Sequence, residues 1–122
     1  IVELCVENRA RYEVILVPII SPYAISRHDA RERIGPRFYE IYLDADLATV
    51  TERDVKGLYA KAQTGELSNV IGVSPETPYE APQAADLILH TGREEAAMSV
   101  RDLYDFVRDK LTHPGGSGAA AP

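Results

Sequence analysis

Apolar and polar positions along this chain change period several times, and each change marks an element. Val2, Val6 and Ala10 recur at helical spacing, which predicts a helix over 2–11. Residues 13–19 are a near-continuous apolar run, the mark of a strand covered on both faces in a parallel sheet. Ser26 followed by Asp29 resembles a capping box, with Ala30 and Ile34 on one face of a short helix. Residues 37–43, rich in aromatic and β-branched side chains, predict a second strand. A helix from Leu47 to Arg53 and two helical turns over 57–62 come next. Residues 86–90 read as a short strand. Ser99 is the expected cap of a final helix in which Val100, Leu103, Val107 and Leu111 share a face. The order is α-β-α-β-α-lid-β-α. It predicts an α/β fold in which 13–19, 37–43 and 86–90 run parallel in one sheet and helix 98–112 packs on it.

Residues 64–82 break the pattern with Gly, Pro, Ser and Asn. A long irregular stretch inside a compact domain is usually a functional lid. The run over 13–19 ends in Ile20-Ser21-Pro22-Tyr23, and strand ends in open α/β sheets face the ligand crevice. A serine there, with Arg53-Asp54-Val55-Lys56-Gly57-Leu58-Tyr59 to close over it, suggests an anionic, phosphorylated ligand.

Charge narrows the choice. The net charge of -6 leaves no basic field for nucleic acid, so cations for an anion must be gathered locally. The candidates are Arg27, Arg31, Arg33, Arg53, Lys56 and Lys61; the first three read as a solvated helix face. No apolar run approaches the roughly 20 residues a membrane span needs, and nothing at the start reads as a signal peptide. A cytoplasmic location is therefore expected, which the lone Cys5 does not contradict. His28, His90 and His113 are scattered without ligand spacing, so no metal site is read. No Gly-x-Ser-x-Gly surrounds Ser21, which argues against a hydrolase nucleophile. The chain opens inside a helix pattern and closes on Pro114-Gly115-Gly116-Ser117-Gly118-Ala119. It therefore reads as the back part of a larger unit, with 114–122 a flexible linker or disordered tail.

From about Tyr12 to Leu111 the chain resembles the adenylylsulfate (APS) kinases, P-loop enzymes that phosphorylate the 3′-hydroxyl of APS with ATP to give PAPS. The resemblance rests on Ile20-Ser21-Pro22-Tyr23, residues 38–45, residues 53–62 with Gly65-Glu66, and Pro78-Tyr79-Glu80-Ala81-Pro82, in that order. It implies a parallel-sheet P-loop NTPase-like fold, three-layer α/β/α, of which residues 1–113 are an incomplete, C-terminal part. Ile20, Ser21 and Pro22 would line the APS site, mainly through their backbone, with Ser21 a position phosphorylated in some members. Lys56 would contact APS, and Arg53, with Lys61 in the same lid, would serve the ATP side. Tyr59 and Leu58 would pack the lid helix. ATP and Mg²⁺ are the implied cofactors and APS and ATP the partners, with neither nucleic acid nor membrane; a homodimer or a fused sulfurylase or other domain stays open.

Departures from the pattern count too. The phosphate loop Gly-x-x-x-x-Gly-Lys-Ser/Thr is not among these residues, and it is what cradles ATP phosphates. The lid position that normally carries an aromatic against the APS adenine holds Val70. Residues 73–77 look longer than the usual turn, and Ala24 stands where a basic residue usually follows the tyrosine. Two rivals therefore remain: a degenerate, non-catalytic domain that regulates a partner, and a related nucleotide kinase with another acceptor.

Overall fold

The computed structural model describes residues 1–74 and 76–114. Its elements are α1 (Val2–Asn8), α2 (Ala24–Ile34), β1 (Ile41–Leu43), α3 (Leu47–Arg53), α4 (Leu58–Gln63), β2 (Leu87–Leu89) and α5 (Ala96–Thr112). β1 and β2 pair in parallel, Ile41 opposite Leu87, Tyr42 opposite Ile88 and Leu43 opposite Leu89. Parallel neighbours need a crossover, and residues 44–86 supply it with α3, α4 and the irregular stretch. The α/β class and the pairing of the second and third expected strands are borne out.

The first expected strand is not. Residues 14–20 are assigned to no strand and pair with none among the described residues. Leu16 is 70% exposed and Ile20 62%, so the run is not covered on both faces. The reason is physical: an apolar, β-branched run supplies propensity, whereas a strand also requires a neighbouring backbone to satisfy its N–H and C=O groups. The observed order is α-α-β-α-α-β-α.

Boundaries shift for similar reasons. The strand expected over 37–43 keeps only three residues, because Phe38 N–H closes a turn onto the Gly35 carbonyl. Ser26 lies inside α2, whose N-cap is Tyr23, so the expected capping box does not form. Ser99 likewise sits one turn into α5, buried, with its Oγ unpartnered; Glu95 holds the N-cap position. By contrast α3 spans the residues expected, and its Asp46 cap accepts the Thr49 N–H at 2.7 Å.

The packing is thin. α5 lies against β2, burying Leu89. Beside it Tyr39 and Phe106 meet edge-to-face at 5.5 Å, with the Lys110 ammonium over both rings. α1 packs on α2 and covers Cys5. No helix of the described residues is long and apolar enough to cross a membrane. The expected tail over 114–122 lies outside the described residues apart from Pro114.

Candidate functional site

The carboxyl ends of the strands and the turn at Ser21 carry the polar groups. Ser21 adopts φ 42°, a left-handed conformation unusual for a side-chain-bearing residue. Such geometry costs on the order of 1–3 kcal/mol and persists only where its surroundings hold it. Three ties do so. Arg27 Nη1 donates to the Ser21 carbonyl at 2.8 Å, and the Glu80 N–H donates to the Pro22 carbonyl at 2.9 Å. The Ala24 N–H, at the start of α2, donates to Glu80 Oε2 at 2.6 Å. Among the described residues nothing bonds the Ser21 N–H or hydroxyl. The carbonyls of Ser21 and Pro22 each already accept one of these hydrogen bonds.

Arg27 overturns the solvated-face reading. Its side chain is 11% exposed, and Nε pairs with Glu40 Oε1 at 2.6 Å while Nη2 donates to the Glu80 carbonyl at 2.7 Å. Arg31, one turn on, pairs with Asp86 at 2.6 Å and approaches Glu40 at 3.7 Å; Asp86 also accepts the Glu40 N–H. Arg33 keeps to longer surface pairs with Asp29 and Glu3. Removing one partner of a pair as enclosed as Arg27–Glu40 costs about 3–5 kcal/mol.

From Glu80 the connection runs to the sheet. Tyr79 stacks on Tyr42 of β1 with centroids 6.3 Å apart. Burial pushes both phenols above their ordinary pKa, with the nearby Asp44 carboxylate adding to the effect at Tyr42. Asp44, just past β1, meets His90 Nδ1 at 2.9 Å just past β2. Gly92 closes this end: a Cβ there would sit 3.2 Å from Ala45 Cα, and its N–H donates to the Asp44 carbonyl.

The lid residues are arranged separately. Arg53 ends α3 and donates to the Thr91 carbonyl at 2.9 Å, beside a cleft of about 440 Å³ that Leu43, Leu89 and Ser99 also line. Lys56 projects from the loop between α3 and α4, where Gly57 takes a left-handed φ of 66°. Asp54 caps α4, accepting the Tyr59 N–H at 3.2 Å and the Ala60 N–H at 3.0 Å. Lys56 and the α4 residue Lys61 are exposed and form no ion pair among the described residues. The structure therefore joins Ser21 and Pro22 to the 78–82 segment but does not bring Lys56, Lys61 or Arg53 onto them. Ile20 is exposed beside the turn. Val70 is half-buried; its carbonyl accepts from Val73 N–H, Ser74 N–H and Thr77 Oγ1, anchoring the loop after it. The long-turn expectation over 73–77 includes Pro75, which lies outside the described residues.

Hydrogen bonding from Ala60 and its neighbours holds the Asp54 carboxyl below the ordinary aspartate pKa. A depressed folded value means the cap is fully present above the unfolded pKa, about 3.9, and lost as pH falls through the folded one. Amide exchange at Tyr59 and Ala60 should accelerate in Asp54→Ala at neutral pH. In the unsubstituted chain, helicity of α4 should fall only in strong acid. Unchanged protection in Asp54→Ala would remove Asp54 as the lid's organiser.

Known proteins bear on this geometry. The family model for adenylylsulphate kinase matches residues 1–90. The chain belongs to the adenylylsulphate kinase family. The adenylyl-sulfate kinase of Halothermothrix orenii is 44% identical over 97 residues, 80% of this chain and 51% of that protein. That of Deinococcus deserti is 47% identical over 93 residues, 76% of this chain and 50% of its own length. The chain thus spans about half the length of the curated relatives it matches. A crystal structure of APE1195 superposes with a TM-score of 0.74 at 36% identity, covering 90% of this chain and 62% of that one. The family fold is that of a P-loop kinase, and the parallel β1–β2 pair with its crossover is this chain's share of it.

Proposed function

We propose that the protein containing this chain is an adenylylsulfate kinase, transferring the ATP γ-phosphate to the 3′-hydroxyl of APS to give PAPS for sulfate assimilation in the cytoplasm. The observation that carries the reading is the clamp between the strained Ser21 turn and Glu80. It joins two of the family's motifs across the 58 residues from Pro22 to Glu80 and leaves the Ser21 N–H and hydroxyl unspent. The turn receives the sulfonucleotide, Lys56 closes on its negative charge, and Arg53 and Lys61 serve the ATP side. Phosphoryl transfer asks chiefly for positioning and charge stabilisation, and a lid that carries cations and excludes water supplies both.

ATP brings Mg²⁺, which spreads charge over the transferring group. Among the described residues no three His, Cys, Asp or Glu side chains converge into a metal cage. No Gly-rich phosphate loop occurs in residues 1–122 either. The roles assigned to this chain therefore concern the acceptor and the lid. The reading is tested by APS-dependent release of ADP from ATP by the full-length protein; release with other adenylates but not APS would favour a different acceptor.

Val70 favours the second reading, a degenerate or differently specific domain, because an aliphatic side chain offers no stacking platform. A base–aromatic stack is worth about 1–3 kcal/mol in nucleic-acid systems, the scale borrowed for an adenine here. In an APS kinase, Val70→Phe should tighten APS binding by about that amount in calorimetric titration of the full-length protein. Flat affinity would mean that no adenine lies opposite residue 70.

A further inference from the structure

We propose that Arg27 is the positioning residue of the acceptor site, holding the Ser21–Pro22 turn in its ligand-receiving shape by a contact only a guanidinium can make. The inference rests on the acceptor reading above and adds a residue that contacts no substrate. Both terminal nitrogens of Arg27 donate to backbone carbonyls on different segments, and the guanidinium is ion-paired to a third. Nη1 donates to the Ser21 carbonyl at 2.8 Å and Nη2 to the Glu80 carbonyl at 2.7 Å, while Nε lies 2.6 Å from Glu40 Oε1 as an ion pair without hydrogen-bond alignment. A planar fork donates to two carbonyls at once while its charge faces a carboxylate, whereas a lysine ammonium is a point charge on a flexible stem.

The three segments have different standing. Glu40 adjoins β1 and is fixed from the far side by Arg31 and by its own N–H on Asp86. It ties the fork to the sheet. Glu80 returns the contact: its N–H holds the Pro22 carbonyl and its carboxylate holds the Ala24 N–H. The turn at Ser21, with φ 42°, is the strained member, and the one whose N–H and hydroxyl no described residue bonds. Releasing the fork lets that turn relax, displacing those groups without removing them. Displacement of about 1 Å at a binding group is enough to lower turnover by up to about 100-fold. Arg53 belongs to another cluster, on Thr91, so the ATP side should not register the change.

The test uses the full-length protein, with KM for APS, KM for ATP, kcat and melting temperature measured for the wild type, Arg27→Lys and Glu80→Gln. Arg27→Lys is expected to raise KM for APS about tenfold or more while KM for ATP stays within about twofold. Glu80→Gln keeps both backbone contacts and weakens the one to Ala24, so KM for APS should rise about threefold by the same logic. Should Arg27→Lys fail to fold, Glu80→Gln decides alone. An unmoved KM for APS, or both KM values rising together with a fall in melting temperature, overturns the positioning role and leaves the kinase reading standing. A wild type that turns over no APS overturns the kinase reading itself, and this role with it.

Discussion

Residues 1–122 expressed by themselves should produce no PAPS from ATP and APS, whereas the full-length protein should do so if the proposed kinase function holds. Residues 1–122 contain no Gly-x-x-x-x-Gly-Lys-Ser/Thr, the motif that cradles the β- and γ-phosphates. Losing a single charge-stabilising donor at a reaction centre costs about 10²–10³ in rate, and here the whole phosphate cradle is at stake. The fragment should also aggregate. Residues 14–20 present an unpaired apolar run with Leu16 70% exposed, and α5 leaves Val100 66% and Tyr104 64% exposed. A coupled assay on the purified fragment checks the first expectation, and sedimentation at increasing concentration checks the second. PAPS formation by the fragment would show that its own residues hold ATP productively.

In the full-length protein Lys56→Ala lowers kcat/KM for APS about tenfold or more, whereas Lys61→Ala leaves it within about twofold. A charge-assisted contact is worth about 1.5–3 kcal/mol, and only a lysine that reaches the ligand's charge can lose it. Lys56 stands in the loop between α3 and α4, at a left-handed Gly57 and beside an Asp54 whose carboxylate is committed to capping α4. Lys61 lies on α4 itself, a turn further from the loop. Equal, small effects from the two substitutions would show two solvated lysines and no contact with APS.

What could be read from the chain follows the range of the interactions involved. α3 emerged where Asp46 and the following residues placed it, because a cap acts three residues away. β1 and β2 were located by composition but lost their ends to local turns. The run over 13–19 was read as a doubly covered strand from its own apolarity, although a strand is completed by a neighbour that periodicity cannot show. Ser21 reads from the sequence as a strand end, but no strand precedes it, and its strained φ of 42° has no sequence signal. Arg27 was missed because a lone arginine among polar helix residues resembles a solvated one, and its partners lie across the fold at Glu40 and Glu80. One signal was available: Arg27 and Arg31 share a helix face directly after the Ser-Pro turn, while Glu40 and Asp86 immediately precede β1 and β2. Two cations on one face and two acids at neighbouring strand starts favour a network over solvation. Lys56 and Val70 owe their roles to the family resemblance alone, since neither meets the Ser21 turn in the structure.

The central claim is that the Ser21 turn and its lid receive APS as a phosphoryl acceptor. Phosphorus NMR of full-length protein incubated with ATP, Mg²⁺ and APS tests it most directly. The account predicts a new phosphomonoester on the ribose 3′-hydroxyl of APS, growing with ADP in equal amounts and reduced in Lys56→Ala. ATP hydrolysed to free phosphate with APS unmodified, or no consumption of either nucleotide, would contradict it.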